Sequence, residues 1–402
     1  MQSILETRIL MKNHNKIILF LSVFINTFLF SQKSEIPFTV NPLFDLKQPE
    51  TLGLSFAKNA ATFTIFSPKE NENKYNHGVV LFSFKGMLYA QWQSSSLDED
   101  GADTQIFYSR STDEKSWEKP MPLTTIDPKN LKTNGGWWSD GKTLVAYIGI
   151  WPHKTEDTKG KIPKEGQTFY ITSTDGIHWE TPKPVTDSNN KPILGIIEQD
   201  LHSLPNGRII TAFHMQPGLN VKPFYTDDPL GITGWNSGKM ENLPTKDASI
   251  SRELEPSWFY RKDGAIIMVF RDQNGTFKKL ASISHDNGLT WTTPTIIDTP
   301  DSRAKQSAGN FPNGMAFMIN NPSGNKTRIP LVITTSKDGF VFDKAYLIRS
   351  GGKNLQPMTT DGKYKRVGYS YPKSFVSGNY LYVGYATNKE DVEMTRIPLD
   401  SF

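Results

Sequence analysis

Ionisable and aromatic residues recur at two fixed offsets from a set of glycines. Glu255 stands nine residues before Gly264 and Arg271 seven after it. The same offsets give His77 and Gln93 about Gly86, Glu198 and His214 about Gly207, Lys305 and Asn321 about Gly314, and Tyr369 and Tyr385 about Gly378. Around Gly141 the apolar runs are longer and reach Trp151 and His153. Imidazoles and phenols exchange protons with a bound substrate, whereas guanidinium and ammonium groups neutralise an anion. The expected proton-transfer groups are therefore His214, the rival base His202, and Tyr369 or Tyr371, with Arg271 against a substrate charge. Glu255, Glu198, His77, His153 and Lys305 are candidate binding groups, and Trp137 and Trp138 could stack a sugar ring. Each has a plainer alternative. Arg271 could pair with Glu255 across a hairpin, His202 could be a satisfied buried histidine, and one of the two tyrosines could simply pack. The chain has no cysteine, which excludes thiolate metal sites and disulfides. No HxxxH or acidic-loop spacing appears, so no metal and no cofactor are expected.

The elements that must position these groups are short strands. EPSWFYRKDGAIIMVFRDQNGTFKKLASISHDNGLTW, residues 255–291, reads as two apolar runs turning at Asp263-Gly264, a third run, and a capped loop of the form S-x-D-x-G-x-x-W. In such a loop Ser and Asp tie up backbone amides, Gly permits positive φ, and Trp plugs the space between strands. The loop recurs at Ser173–Trp179, at Ser111–Trp117 with the glycine lost, and at Ser336–Phe342 with Phe for Trp. The hairpin glycines lie roughly 50–66 residues apart, about one four-stranded blade each. The expected fold is all-β: a β-propeller of six blades, or seven if residues 36–60 supply more strands. Thr62 to Ser67 is expected to close the last blade from outside. Lys154 to Gly166 reads as a charged, solvated loop.

Residues 1–31 read as an export signal, with Lys12, His14 and Lys16 before the apolar run Ile17 to Phe30. About 14 apolar residues fall short of the roughly 20 that a spanning helix needs. The expected product is a single domain, residues 32–402, that is periplasmic or secreted, is monomeric and has no membrane partner. Loss of Arg8, Lys12, Lys16 and Glu6 takes the formal charge from +4 to near +2, which does not suggest a nucleic-acid partner.

The octapeptide loops resemble the Asp-boxes of the sialidase superfamily, and the resemblance covers essentially the whole mature chain. Asp-boxes mark the fold rather than the reaction. The resemblance implies an arginine clamp on a carboxylate, an Asp acid and a Tyr nucleophile assisted by Glu. Arg271, Glu255 and Tyr369 or Tyr371 fall where such groups are expected, and Asp103 falls near the acid. The first-blade arginine is absent from Tyr75-Asn76-His77-Gly78-Val79, and the third is replaced by Lys305 or displaced to Arg303. The pair His202 and His214 has no counterpart. The chain also resembles propeller enzymes of marine bacteria that process ulvan, chiefly in YSYPKSFVSGNYLYVGYATNKEDVEMTRIPL and SRAKQSAGNFPNG. That resemblance implies β-elimination at a uronic acid of an oligosaccharide, as a dehydratase or lyase. A sialidase-like glycoside hydrolase, including a rhamnosidase, and a non-catalytic glycan-binding propeller are the alternatives.

Overall fold

The computed structural model describes residues 35–153, 165–245 and 250–402. The expected export signal lies outside the described residues, as does most of the charged loop from Lys154. Residues 37–402 form one compact unit of antiparallel four-stranded sheets. The sheets are the blades of a six-bladed propeller. Each hairpin turns at one of the glycines singled out above; Gly86, Gly207, Gly264 and Gly314 all hold φ between 78° and 87°, a region open to glycine at little cost.

Blade 1 is Tyr75–Phe84, Met87–Ser95, Gln105–Ser111 and Met121–Pro122. Blade 2 is Asn130–Ser139, Leu144–Pro152, Gln167–Ser173 and Lys183–Pro184. Blade 3 is built on Gly195–Ile197, Ile209–Met215, Asn220–Thr226 and Asn236–Ser237, with the short His202–Ser203 pairing alongside. Blade 4 is Glu253–Tyr260, Ile266–Asp272, Lys278–Ser284 and Thr295–Pro300. Blade 5 is Ser307–Asn310, Ala316–Asn320, Leu331–Ser336 and Lys344–Arg349. Blade 6 takes Tyr369–Ser377, Tyr380–Thr387 and Asp391–Pro398 from the end of the chain and Ala61–Phe66 from its start. Residues 36–60 add no seventh blade. Their one strand, Thr39–Val40, pairs in parallel with Val341–Phe342 in the loop of blade 5.

Apolar side chains between neighbouring blades form the core. Phe259, Ile267, Val269 and Ile283 of blade 4, for example, meet Ala308, Ala316 and Met318 of blade 5. The Asp-box loops are built as their residues dictate. Asp175 Oδ1 accepts the amides of Ile177 and His178, both at 2.8 Å, and Ser173 Oγ accepts that of Gly176 at 2.8 Å. Where the glycine is lost, Glu114 still adopts φ 66°. A fifth box in blade 3 escaped the sequence pattern because it is stretched. Thr226 and Asp228 bind the loop amides, and the buried Trp235 plugs it.

Candidate functional site

The first two strands of each blade direct polar residues to one end of the propeller axis. There they line a cavity of about 720 Å³. His77, His153, Glu198, His214, Glu255, Arg271, Lys305 and Tyr371, widely separated in sequence, all border it. All six blades contribute them. Six of these eight stand at the offsets counted from the hairpin glycines; His153 and Tyr371 do not, and Asn321, Tyr369 and Tyr385, which do, lie outside the lining.

Two β-bulges shape the reactive part. Pairing in blade 4 slips between Leu254 and Ser257, and in blade 6 between Ser370 and Lys373. The bulged residues Glu255 and Tyr371 have φ 54° and 55°, a conformation uncommon for residues with a Cβ. Each is thereby aimed out of its strand. Their side chains meet: Tyr371 Oη donates to Glu255 Oε1 at 2.6 Å. Arg271 Nη1 donates both to Glu255 Oε2 at 2.8 Å and to Tyr371 Oη at 2.9 Å. Phenol, carboxylate and guanidinium thus form a closed triangle.

The surroundings set the protonation states. Burial would raise the Glu255 carboxyl, but Arg271 and then Lys305 outweigh it and hold it below the usual value. Burial, and after it the Glu255 charge, pushes the Tyr371 phenol up. The pair therefore rests as carboxylate and neutral phenol. His214 Nε2 accepts the Glu255 amide at 3.4 Å, so that nitrogen carries no proton. Burial lowers the His214 pKa, with Glu198 opposing in part. The His77 ring packs on Tyr371 with centroids 4.3 Å apart. Neither His77 nitrogen has a hydrogen-bond partner among the described residues. Burial first, then Lys389, Arg328 and Lys305, drives its pKa well down. Both imidazoles are neutral near pH 7.

The remaining lining residues are tied in different ways. Lys305 Nζ pairs with Glu198 Oε1 and donates to Gln199 Oε1 at 2.8 Å. His153 Nε2 lies 3.0 Å from the Asp127 carbonyl oxygen.

Four expected site residues lie elsewhere. Tyr369 is fully buried in the core, with its hydroxyl donating to the Ser350 carbonyl at 2.8 Å. Two residues apart on a regular strand, Tyr369 and Tyr371 would share a face, but the bulge between Ser370 and Lys373 breaks that alternation. His202 sits outside the cavity lining, 2.8 Å from Asp200 Oδ1 and tilted on Trp258. The first strand of blade 3 breaks after Ile197, and His202 belongs to the separate stub. Trp137 is a core plug, stacked on Trp179 with Nε1 donating to the Val80 carbonyl. Trp138 packs against the core of the next blade, its Nε1 bound to the Pro229 carbonyl. Asp103 accepts the Ser96 amide at 2.8 Å and steadies its loop, whereas its neighbours Glu99 and Asp100 border the cavity.

Two groups that the sequence offsets missed flank Tyr371. The Arg328 guanidinium lies 5.0 Å and Lys389 Nζ 6.0 Å from the centre of its ring. Lys389 also pairs with Glu99 at 2.6 Å, and burial lowers its pKa to about 8 against the pull of Glu99. Neither residue is at a repeat position, so only the folded chain brings them to the tyrosine.

Comparison with known proteins bears on the whole ring. The profile of the BNR repeat-like domain matches residues 86–383. The chain belongs to the BNR repeat-like family. Solved structures carry the same propeller. A sialidase superposes with a TM-score of 0.61 at 18% identity, covering 90% of this chain and 35% of its own. A Hadza microbial sialidase gives 0.66 at 15%, covering 85% and 69%. A mutant of the NanB sialidase from Streptococcus pneumoniae gives 0.62 at 14%, covering 84% and 71%. This BNR repeat-like chain thus spans about a third of the length of the first. At such identities the likeness establishes the fold alone. No curated protein matches the sequence.

Proposed function

We propose that this protein is a carbohydrate-active enzyme that cleaves a glycan at an acidic sugar, with Tyr371 and Glu255 as its reactive pair. The observation that carries this reading is the triangle of Tyr371, Glu255 and Arg271, with its 2.6 Å phenol–carboxylate bond. As Tyr371 Oη attacks an anomeric carbon and the bond from that carbon to the leaving oxygen breaks, Glu255 accepts the phenolic proton and Arg271 stays hydrogen-bonded to the oxygen that becomes the aryl glycosidic linkage. A phenol relayed by a carboxylate suits a substrate with its own carboxylate nearby, because the attacking atom itself is uncharged. Asp100, on the loop bordering the cavity, is the candidate acid for the leaving oxygen. Arg271 and Lys305 supply positive charge for the substrate's acid group. The solved sialidases support this reading by sharing the ring, though the cavity departs from a three-arginine clamp: His77 and Lys305 stand where the resemblance implies two of the arginines.

A second reading rests on a separate observation, the two neutral histidines His77 and His214. In β-elimination at a uronate of an ulvan-type oligosaccharide, a neutral imidazole removes the C5 proton and Tyr371 protonates the departing C4 oxygen. Arg271 or Lys305 neutralises the carboxylate. The two readings give different products. Sialyl oligosaccharides and ulvan oligosaccharides are each incubated with the protein, and products are followed by mass and ultraviolet absorbance. Hydrolysis adds water across the cleaved bond, whereas elimination creates a conjugated double bond absorbing at about 235 nm. Neither product from any acidic glycan would overturn the proposal and favour a binding propeller.

A further inference from the structure

The cavity is chemically two-sided. Its reactive side holds the triangle, the two histidines and Lys305. Blades 2 and 3 also supply an apolar part of the lining: Leu131, Trp151, Pro152, Ile196 and Leu219 border the same space. Trp151 is fixed in a way that suits a platform. Its Nε1 donates to Thr133 Oγ1 at 3.1 Å, which sets the ring orientation. Gly166 backs the indole so closely that a Cβ there would lie 2.7 Å from Cε3 and 2.8 Å from Cζ3. No side chain other than hydrogen fits at Gly166 without moving the ring. Trp151 nonetheless remains partly exposed and borders the cavity, unlike Trp92, Trp235 and Trp258, which are fully buried. A large aromatic held at edge and back, with surface left open, is what a pyranose ring needs for its C–H face to stack. The cavity, about 720 Å³, lies in the upper part of the range of about 300–1,000 Å³ typical of small-molecule pockets.

We propose that Trp151 is the floor of a second subsite, which stacks a neutral pyranose adjoining the acidic sugar, so that the ligand is an oligosaccharide and not a lone acidic monosaccharide. This rests on the acidic-sugar reading above and adds to it a specificity-determining residue. The unit on Trp151 is uncharged, because Leu131, Pro152, Ile196 and Leu219 beside it carry no ionisable group.

The test compares affinities by calorimetry on the full protein. Probes are free glucuronic acid, free N-acetylneuraminic acid, and oligosaccharides in which each is joined to a neutral sugar. The wild type is expected to bind one of the oligosaccharides roughly tenfold or more tightly than its acidic monosaccharide. Trp151→Ala should remove that difference and leave the monosaccharide affinity unchanged, whereas Trp151→Phe, which keeps an aromatic face, should retain most of it. Equal affinity of the wild type for both probes would overturn the second subsite while leaving the acidic-sugar reading intact. So would an undiminished preference in a folded Trp151→Ala. Loss of monosaccharide binding in Trp151→Ala would also overturn it, since Trp151 would then serve the acidic unit. If the wild type binds the neutral sugar alone as well as any acidic probe, the acidic-sugar reading itself falls.

Discussion

At the scale of single residues, the site is defined by who shares protons and charge with Tyr371. Tyr371→Phe removes the reacting oxygen but keeps the ring between His77 and Arg328. Turnover is expected to fall about 10²–10⁴-fold with little change in the melting temperature, measured on whichever acidic oligosaccharide proves to be the substrate. Arg271→Lys keeps a charge but cannot hold Glu255 and Tyr371 with the same fork. It should cost about 10²–10³-fold in turnover. His77 makes a prediction about stability and pH. Its folded pKa lies below the unfolded value of about 6.5, so the unfolded chain binds a proton that the folded chain refuses. Stability is therefore complete above about pH 6.5 and declines as pH falls below it. His77→Gln should flatten part of the fall in melting temperature between about pH 7.5 and pH 5.5. His214, shifted in the same direction, should account for a further share.

At the scale of elements, the Asp-box loops pin the outer parts of the blades and the bulges build the site. None of the Asp-box loops borders the cavity. Trp291, buried in the core of blades 3 and 4, should cost about 3–5 kcal/mol when replaced by alanine. Denaturant titration would read this, and turnover per folded molecule should be unaffected. This division explains what was legible in the sequence. The boxes and hairpin glycines are local patterns, since a serine, an aspartate and a glycine at fixed spacing suffice to close the loop. The offsets located His77, Glu198, His214, Glu255, Arg271 and Lys305 because the hairpin glycine stands nine residues past the mouth of those blades. They chose Tyr369 over Tyr371 because the blade 6 hairpin is tighter, pairing Ser377 with Tyr380 where blade 4 pairs Tyr260 with Ile266, so its glycine comes sooner. Trp137 and Trp138 read as a sugar platform because an aromatic pair looks alike whether it faces a ligand or a core. The longer runs around Gly141 reached Trp151, but nothing local marked it as a sugar platform. Arg328 and Lys389 belong to loops whose approach to Tyr371 is purely tertiary.

At the scale of the whole molecule, the ring is held shut by one strand pairing. Ala61–Phe66 lies antiparallel to Asp391–Pro398, with Thr62 directly opposite Thr395 and their hydroxyls 2.8 Å apart. The closure covers the edge of Asp391–Pro398 and makes Ala61–Phe66 the outer strand of blade 6. The chain has no cysteine, so Thr62→Cys with Thr395→Cys would form a unique disulfide across the seam. Oxidation should stabilise the fold by about 2–4 kcal/mol. A rise in melting temperature that a reductant reverses would confirm that the seam limits stability, whereas no rise would place the weakest point elsewhere.

The same seam imposes an order of events on a newly made chain. The strand Ala61–Phe66 emerges long before its partner Asp391–Pro398. The early strand must stay unpaired while five blades assemble between it and its mate, and the loop to be closed is nearly the length of the domain. Tyr371 lies in the blade that this late event completes, and Glu255 in one that forms earlier. The reactive pair is therefore assembled only after Asp391–Pro398 has been made, so a chain cut before blade 6 carries no competent site.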